Sequence, residues 1–239
     1  MPAAHVVQPP TKMTNSRHIM KSLLFTAVLI MTVITDASAQ RRGCCHDDKI
    51  CNDTETLCHD NTADCYSESA LNVLLTRRGI RNYTDQVPSR ELLEKVLEAG
   101  TYAPTGMGAQ SPVIVAVTDC ATRDRLSRLN AAVMGRDEDP FYGAPVVFVV
   151  LADRSKPTYV YDGALVMGNL MNAARAVGLG SRWIHRAREV FDSPEGKALL
   201  AEWGLEGDYE GIGNCIIGYP AGAAPEPKPR KADYIHWVE

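Results

Sequence analysis

Beyond residue 69 the apolar positions of the chain alternate between helical spacing and short unbroken runs, with glycine and proline marking the boundaries. The stretch SALNVLLTRR, residues 69–78, reads as a helix stopped by Gly79. Pro88-Ser89 opens a second helix with Ser89 as N-cap; Leu92, Leu93, Val96 and Leu97 fall on one face of it, and Pro104 bounds it. The runs VIVAVT (Val113–Thr118) and VVFVVL (Val146–Leu151) are too short and too β-branched to favour helix and are expected as strands. A long helix is predicted over Tyr161–Val177, ending at Gly178, and a strand over Ser181–His185. Ser193-Pro194-Glu195 then starts a helix with cap, proline and first-turn acid in order, and Ile212–Tyr219 is the last strand. Prolines at 220, 225, 227 and 229 favour an extended tail. Residues 69–239 thus form one domain of mixed helix and strand.

Residues 40–68 show no such pattern. The segment CCHDDKICNDTETLCHDNTADC is polar and almost free of apolar residues, so it cannot build its own core. It holds five of the seven cysteines, Cys44, Cys45, Cys51, Cys58 and Cys65. Three readings stay open: disulfides in an exported chain, a metal site through Cys45-His46 and Cys58-His59, or a plain tether. The lack of any CxxC pair favours disulfides over metal. Ahead of this segment, Met20–Ala39 has a Lys21 flank, an apolar stretch from Leu23 to Ile34 and an Ala37-Ser38-Ala39 cleavage site, the order of a secretory signal peptide. That stretch is about half the roughly 20 residues a membrane-spanning helix needs, so no stable anchor is expected. Export follows if the signal operates, and a cytoplasmic location otherwise. The chain divides into 1–39, 40–68 and 69–239.

Composition sharpens this division. With 239 residues, 45% of them hydrophobic, the chain can bury a sizeable core, and a formal net charge of −4 lacks the basic footprint of a nucleic-acid binder. No Gly-x-Gly-x-x-Gly follows a predicted strand, and neither a Walker loop nor a Gly-x-Ser-x-Gly elbow is present. Two groups of cations stand out instead, Arg77-Arg78 with Arg81, and Lys228 with Arg230. If the tail folds back they converge on a phosphate; the alternative is that Arg77 and Arg78 complement the negative end of their helix. Pro104-Thr105-Gly106-Met107-Gly108-Ala109-Gln110 is either a loop whose small residues admit a planar ligand or an ordinary helix-to-strand connection, and Gly178-Leu179-Gly180-Ser181 carries the same ambiguity. Tyr142, Trp183 and His185 are candidates for an acceptor pocket, although a histidine ending a strand reads more readily as structural. Cys120 and Cys215, at a strand end and within a strand, are expected as buried thiols.

The joint order of these motifs resembles the FMN-dependent nitroreductase family over about Ser69 to Glu239. The opening Arg77-Arg78-Gly79-Ile80-Arg81, the loop Ala103-Pro104-Thr105-Gly106 with Gln110, the Gly178–Ser181 element, and Gly218-Tyr219-Pro220 with Lys228-Pro229-Arg230 carry the resemblance. It implies an α+β nitroreductase-like fold, a mainly antiparallel central sheet flanked by helices, in an intertwined homodimer with flavin at the interface. Arg77, Arg78, Arg81, Lys228 and Arg230 would hold the FMN phosphate and ribityl chain; Pro104, Thr105, Gly106, Met107 and Gln110, from the other subunit, would line the ring; and the backbone of Leu179, Gly180 and Ser181 would face its redox edge. Gly79 stands where many members have Ser, and Gly108 where many have Asn. The implied activity is an FMN-dependent NAD(P)H oxidoreductase working by ping-pong hydride transfer, taking hydride from NADH or NADPH and reducing a nitroaromatic, quinone or similar small-molecule electron acceptor, with no metal and no protein acid, base or nucleophile required. The alternatives are a non-catalytic or partner-driven exported flavin-binding protein, and a secreted Cys-rich module on a flavin-fold scaffold.

Overall fold

The computed structural model describes residues 62–239. The signal-like segment and four of the five clustered cysteines lie outside the described residues. Helix α1 (Thr62–Thr76) begins seven residues before the predicted start, inside the polar segment, and ends before Gly79. Gly79 is not its stop: the chain leaves the helix to form backbone pairs farther on, which a continued helix would forbid. Next come α2 (Arg90–Thr101), β1 (Pro112–Val117), α3 (Cys120–Met134), β2 (Val146–Asp153), α4 (Tyr159–Ala176), β3 (Gly180–Ile184), α5 (Ala187–Asp192), α6 (Pro194–Glu202) and β4 (Tyr209–Gly218).

The predicted caps are in place. Ser89 Oγ accepts from the Leu92 amide, and Ser193 Oγ from Gly196 with Pro194 in the first turn. Gly178, at φ 80°, ends α4 while Leu179 N donates back to Ala174 O at 2.8 Å. The strands form one sheet in the order β1-β2-β4-β3 with every pairing antiparallel. The register shifts between Val150, paired with Gly213, and Leu151, paired with Gly211, so that Ile212 is an extra residue that bends β4 there.

Because β2 is central and covered on both faces, it reads as a solid apolar run without polar alternation. Its pleat still divides it. Val146, Phe148, Val150 and Ala152 meet α2 and α4 through Val96, Met167 and Leu170, whereas Val147, Val149 and Leu151 meet α3, α5 and α6 through Leu126, Phe191 and Leu199. Each of these buried Val, Leu, Phe and Met side chains contributes roughly 1.5–3 kcal/mol before entropy is charged against it. Among the described residues no helix is long and apolar enough to cross a membrane. After Gly218 the chain runs without further helix or strand to Glu239, as the prolines predicted.

Candidate functional site

After α1 the chain runs extended along β3. Ile80 N donates to Ser181 O at 3.1 Å, Gly79 bridges Ser181, and buried Ile80 pins the strip. The tail returns to the same strip at its base: Tyr83 bridges Pro220, Thr84 N donates to Tyr219 O at 2.9 Å, and Ala221 N donates to Asn82 O at 3.0 Å. A cavity of about 290 Å³ lies between residues Gly79–Asn82 and the start of the tail at Ala221, Gly222, Ala223 and Pro225. The fold-back of the tail is therefore present at its base. Lys228 and Arg230 lie farther along the tail and are exposed.

The strip presents its arginines differently. Arg78 Nη1 donates to Leu75 O at 2.7 Å and Arg77 O at 2.9 Å, so this guanidinium does close the end of α1. The Arg77 charge reaches inward to Cys215, whose thiol burial pushes up to about 12 against that opposing influence. Burial, then the Cys215 field, likewise push the half-buried Tyr83 phenol well above its ordinary value, with Arg182 opposing. Arg81 is exposed, 6.0 Å from the centre of the Tyr142 ring. Sequence reasoning missed a fourth arginine, Arg182 of β3, which lies 5.6 Å from that same ring. A Cβ placed on Gly79 would stand 3.2 Å from its Nη1. Its only sequence signal is a charge inside a five-residue strand. Among the described residues the ion pairs use Arg90, Arg123, Arg125, Arg154 and Arg188, and none involves Arg77, Arg78, Arg81 or Arg182.

The second candidate region is the connection from α2 to β1. It closes in a 3-10 turn at Gly106–Gly108 with Met107 at φ 55° and Gln110 at φ 49°, conformations that cost a side chain energy and persist only when the surroundings impose them. The imposing group is Asp162, 2% exposed in the first turn of α4. Its carboxylate accepts from Gly106 N, Ser111 Oγ and Thr158 Oγ1, each at 3.0 Å, while Thr105 Oγ1 accepts from Gln110 N. Gly106 is required, because any Cβ there would fall on the Thr158 side chain. Met107 is left 91% exposed. Beside the loop lies a cavity of about 930 Å³, walled by Tyr102, Pro104, Thr105, Gly108 and Gln110 together with Pro112, Ile114 and Ala116 of β1. That volume falls within the range of small-molecule sites. It shares no lining residue with the cavity at the arginine strip.

The remaining candidates are placed otherwise. Leu179, Gly180 and Ser181 are buried beneath the Gly79–Ile80 strip, with Ser181 Oγ donating to Met171 O at 3.4 Å. They support the strip and do not form an open surface. Trp183 packs into the core against Met167 and Gly213. His185 is exposed, and its carbonyl accepts from Asn130 Nδ2 at 2.8 Å. Cys120 is exposed at the first residue of α3, contrary to expectation: the chain leaves β1 at Val117 and Asp119 caps a helix there.

Residues 74–219 match the family model described as the nitroreductase family. The chain belongs to the nitroreductase family. A protein of Archaeoglobus fulgidus named for NADH dehydrogenase/NAD(P)H nitroreductase activity is 33% identical over 159 residues, which is 64% of this chain and 86% of the relative. An FMN reductase [NAD(P)H] of Bacillus subtilis is 26% identical over 174 residues, 66% of this chain and 68% of that protein. The crystal structure of a Bacteroides fragilis nitroreductase with bound FMN superposes with a TM-score of 0.66 at 28% identity, covering 71% of this family member and 98% of that chain. A Desulfitobacterium hafniense nitroreductase at 23% identity shares the fold, with a TM-score of 0.65 and coverage of 72% and 98%.

Proposed function

We propose that this family member is an FMN-dependent NAD(P)H oxidoreductase that reduces a nitroaromatic, a quinone or a similar small acceptor. The observation that carries the reading is a strip of arginines without carboxylate partners among the described residues, with Arg182 packed where Gly79 has no side chain. That donor set fits the dianionic phosphate of FMN, and the apolar wall of Pro112, Ile114 and Ala116 with the polar rim of Thr105 and Gln110 fits a planar ring. Arg77, Arg78 and Arg81 would hold the phosphate and ribityl chain, joined by Lys228 and Arg230 if the tail wraps closer in the assembled protein. Pro104, Thr105, Gly106, Met107 and Gln110 would line the ring, above the support given by Leu179, Gly180 and Ser181. Bound FMN would supply the hydride chemistry. The protein's part is to bind and orient the cofactor, keep water from its face, and place positive charge and N–H donors near its pyrimidine edge.

A homodimer accounts for the separation of the two cavities, since one subunit's loop would meet its partner's arginine strip. Among the described residues the sheet ends at β1, whose outer edge carries no further strand, and the tail exposes Tyr234, Ile235, Trp237 and Val238 to 69% or more. Exposed apolar groups of that number call for a cover.

The test is an absorption spectrum of the purified full chain, reconstituted with FMN and mixed with NADH or NADPH without oxygen. Bleaching of the flavin bands supports the enzyme. Bound flavin that stays yellow with both donors selects the flavin-binding alternative, and failure to bind FMN refutes the reading.

A further inference from the structure

We propose that Arg182 is itself a flavin ligand, a guanidinium delivered from β3 into the space that Gly79 leaves open, and that Tyr142 is the positioning residue that aims it together with Arg81. This rests on the flavin reading above. Along β3, Ser181 donates toward α4 and Trp183 packs against Met167 of α4, so alternation sends Arg182 to the opposite face. There its stem runs beside Gly79: a Cβ at 79 would lie 3.7 Å from Arg182 Cγ and 3.2 Å from Nη1. The strip that carries three arginines thus gains a fourth where its own backbone has no side chain. Arg182 is half-buried and makes no hydrogen bond or ion pair among the described residues, so none of its N–H donors is spent on them.

Tyr142 explains why the group is held in place. Its ring lies 5.6 Å from the Arg182 guanidinium and 6.0 Å from that of Arg81, within the range of cation–π attraction. The backbone of Tyr142 is left-handed at φ 54°. Asp139 imposes this by accepting the amides on either side, Phe141 N at 2.9 Å and Gly143 N at 2.8 Å. Two guanidiniums at one ring repel, and among the described residues no carboxylate forms an ion pair with either, although acids outnumber bases in the sequence. An anionic ligand oxygen would. FMN offers one in its phosphate, and its pyrimidine edge gains negative charge when the ring is reduced.

The experiment uses the full chain, stripped of flavin and titrated with FMN and with riboflavin, followed by potentiometry of the reconstituted protein. Arg182→Met keeps the stem and removes the charge; Tyr142→Phe keeps the ring, and Tyr142→Ala removes it. If Arg182 meets the phosphate, Arg182→Met weakens FMN about tenfold or more and leaves riboflavin unchanged. If it meets the pyrimidine edge, both affinities fall and the midpoint potential drops, because a positive charge there favours the reduced cofactor. In either case Tyr142→Ala moves the same readout in the same direction, Tyr142→Phe does not, and Arg182→Lys recovers part of it. Wild-type affinity ratio and potential in Arg182→Met overturn the inference while leaving the flavin reading intact. A wild-type chain that binds neither flavin sinks the flavin reading instead.

Discussion

Replacing Asp162 tests whether one buried carboxylate sets the shape of the α2–β1 loop. Three donors meet it at 3.0 Å, and hydrogen bonds to a charged acceptor are worth about 1.5–3 kcal/mol each. Their sum overstates the effect, because Gly106 and Thr158 are half-exposed and water can take the place of the carboxylate. Ser111 is 5% exposed and has no such recourse, so its stranded hydroxyl alone costs about 1–3 kcal/mol. Asp162→Ala should therefore lower stability by about 3 kcal/mol, a drop in Tm of roughly 6–12 °C for a domain of this size. Asp162→Asn should cost about 1 kcal/mol, since the Ser111 and Thr158 hydroxyls can rotate and accept from the amide. Urea unfolding followed by tryptophan fluorescence reads both values at unchanged m. Proteolysis within residues 104–111 should increase in Asp162→Ala only. If Asp162→Ala stays within 0.5 kcal/mol of the parent, or Asp162→Asn matches it in damage, the loop is held by something else.

Asp139 makes the acid limb of stability predictable. Burial opposes its ionised form, but hydrogen bonds from Ser127, Arg123, Gly143 and Phe141 outweigh burial and hold the carboxyl below its ordinary value. A depressed folded value means the contribution is complete above the unfolded value, about 3.9, and is lost as pH falls through the folded one. In denaturation curves from pH 7 to pH 2, Asp139→Asn should be less stable than the parent at neutral pH, and the two should converge in acid. A gap that widens below pH 4 would contradict this. For the thiols, mass-spectrometric mapping after brief native iodoacetamide treatment should find Cys120 modified and Cys215 intact until denaturant is added, because Cys215 is buried and its thiol is pushed up to about 12. Native modification of Cys215 would argue against the packing of β4.

The elements that the sequence announced were those whose local chemistry agrees with their packing. Ser89 and Ser193 are caps with proline beside them, and β2 is apolar at every position because both of its faces are covered. Helix α3 was not anticipated, since it buries Ser127, Asn130 and Ala131 and only one large apolar residue, Leu126, so its periodicity is faint. Helix α5 was missed because it follows Arg186 at φ 74°, a start without a capping side chain. In the site, the arginine strip and the 104–110 loop were legible as clusters of residue types. Asp162 and Arg182 were not, and Tyr142 was legible only as an acceptor-pocket candidate and not as the neighbour of two guanidiniums, because these roles depend on contacts between distant parts of the chain that no local pattern encodes. Gly79 was misread as a helix stop for the same reason: its partner is Ser181.

The placement of β2 at the centre of the sheet has a consequence during synthesis. Its outer neighbour β1 precedes it, but β4, which covers its other edge, begins about 55 residues after it ends. At elongation rates of roughly 5–20 residues per second, the run VVFVVLA is exposed for about 3–11 s with one edge unpaired. Such a segment, β-prone and free of charge and proline until Asp153, is a ready template for pairing between nascent chains. Helix α4, made next, can shield one face of it early but not that edge. Slow codons or low chaperone capacity between residues 153 and 209 should therefore lower the yield of soluble protein more than the same delay placed after β4.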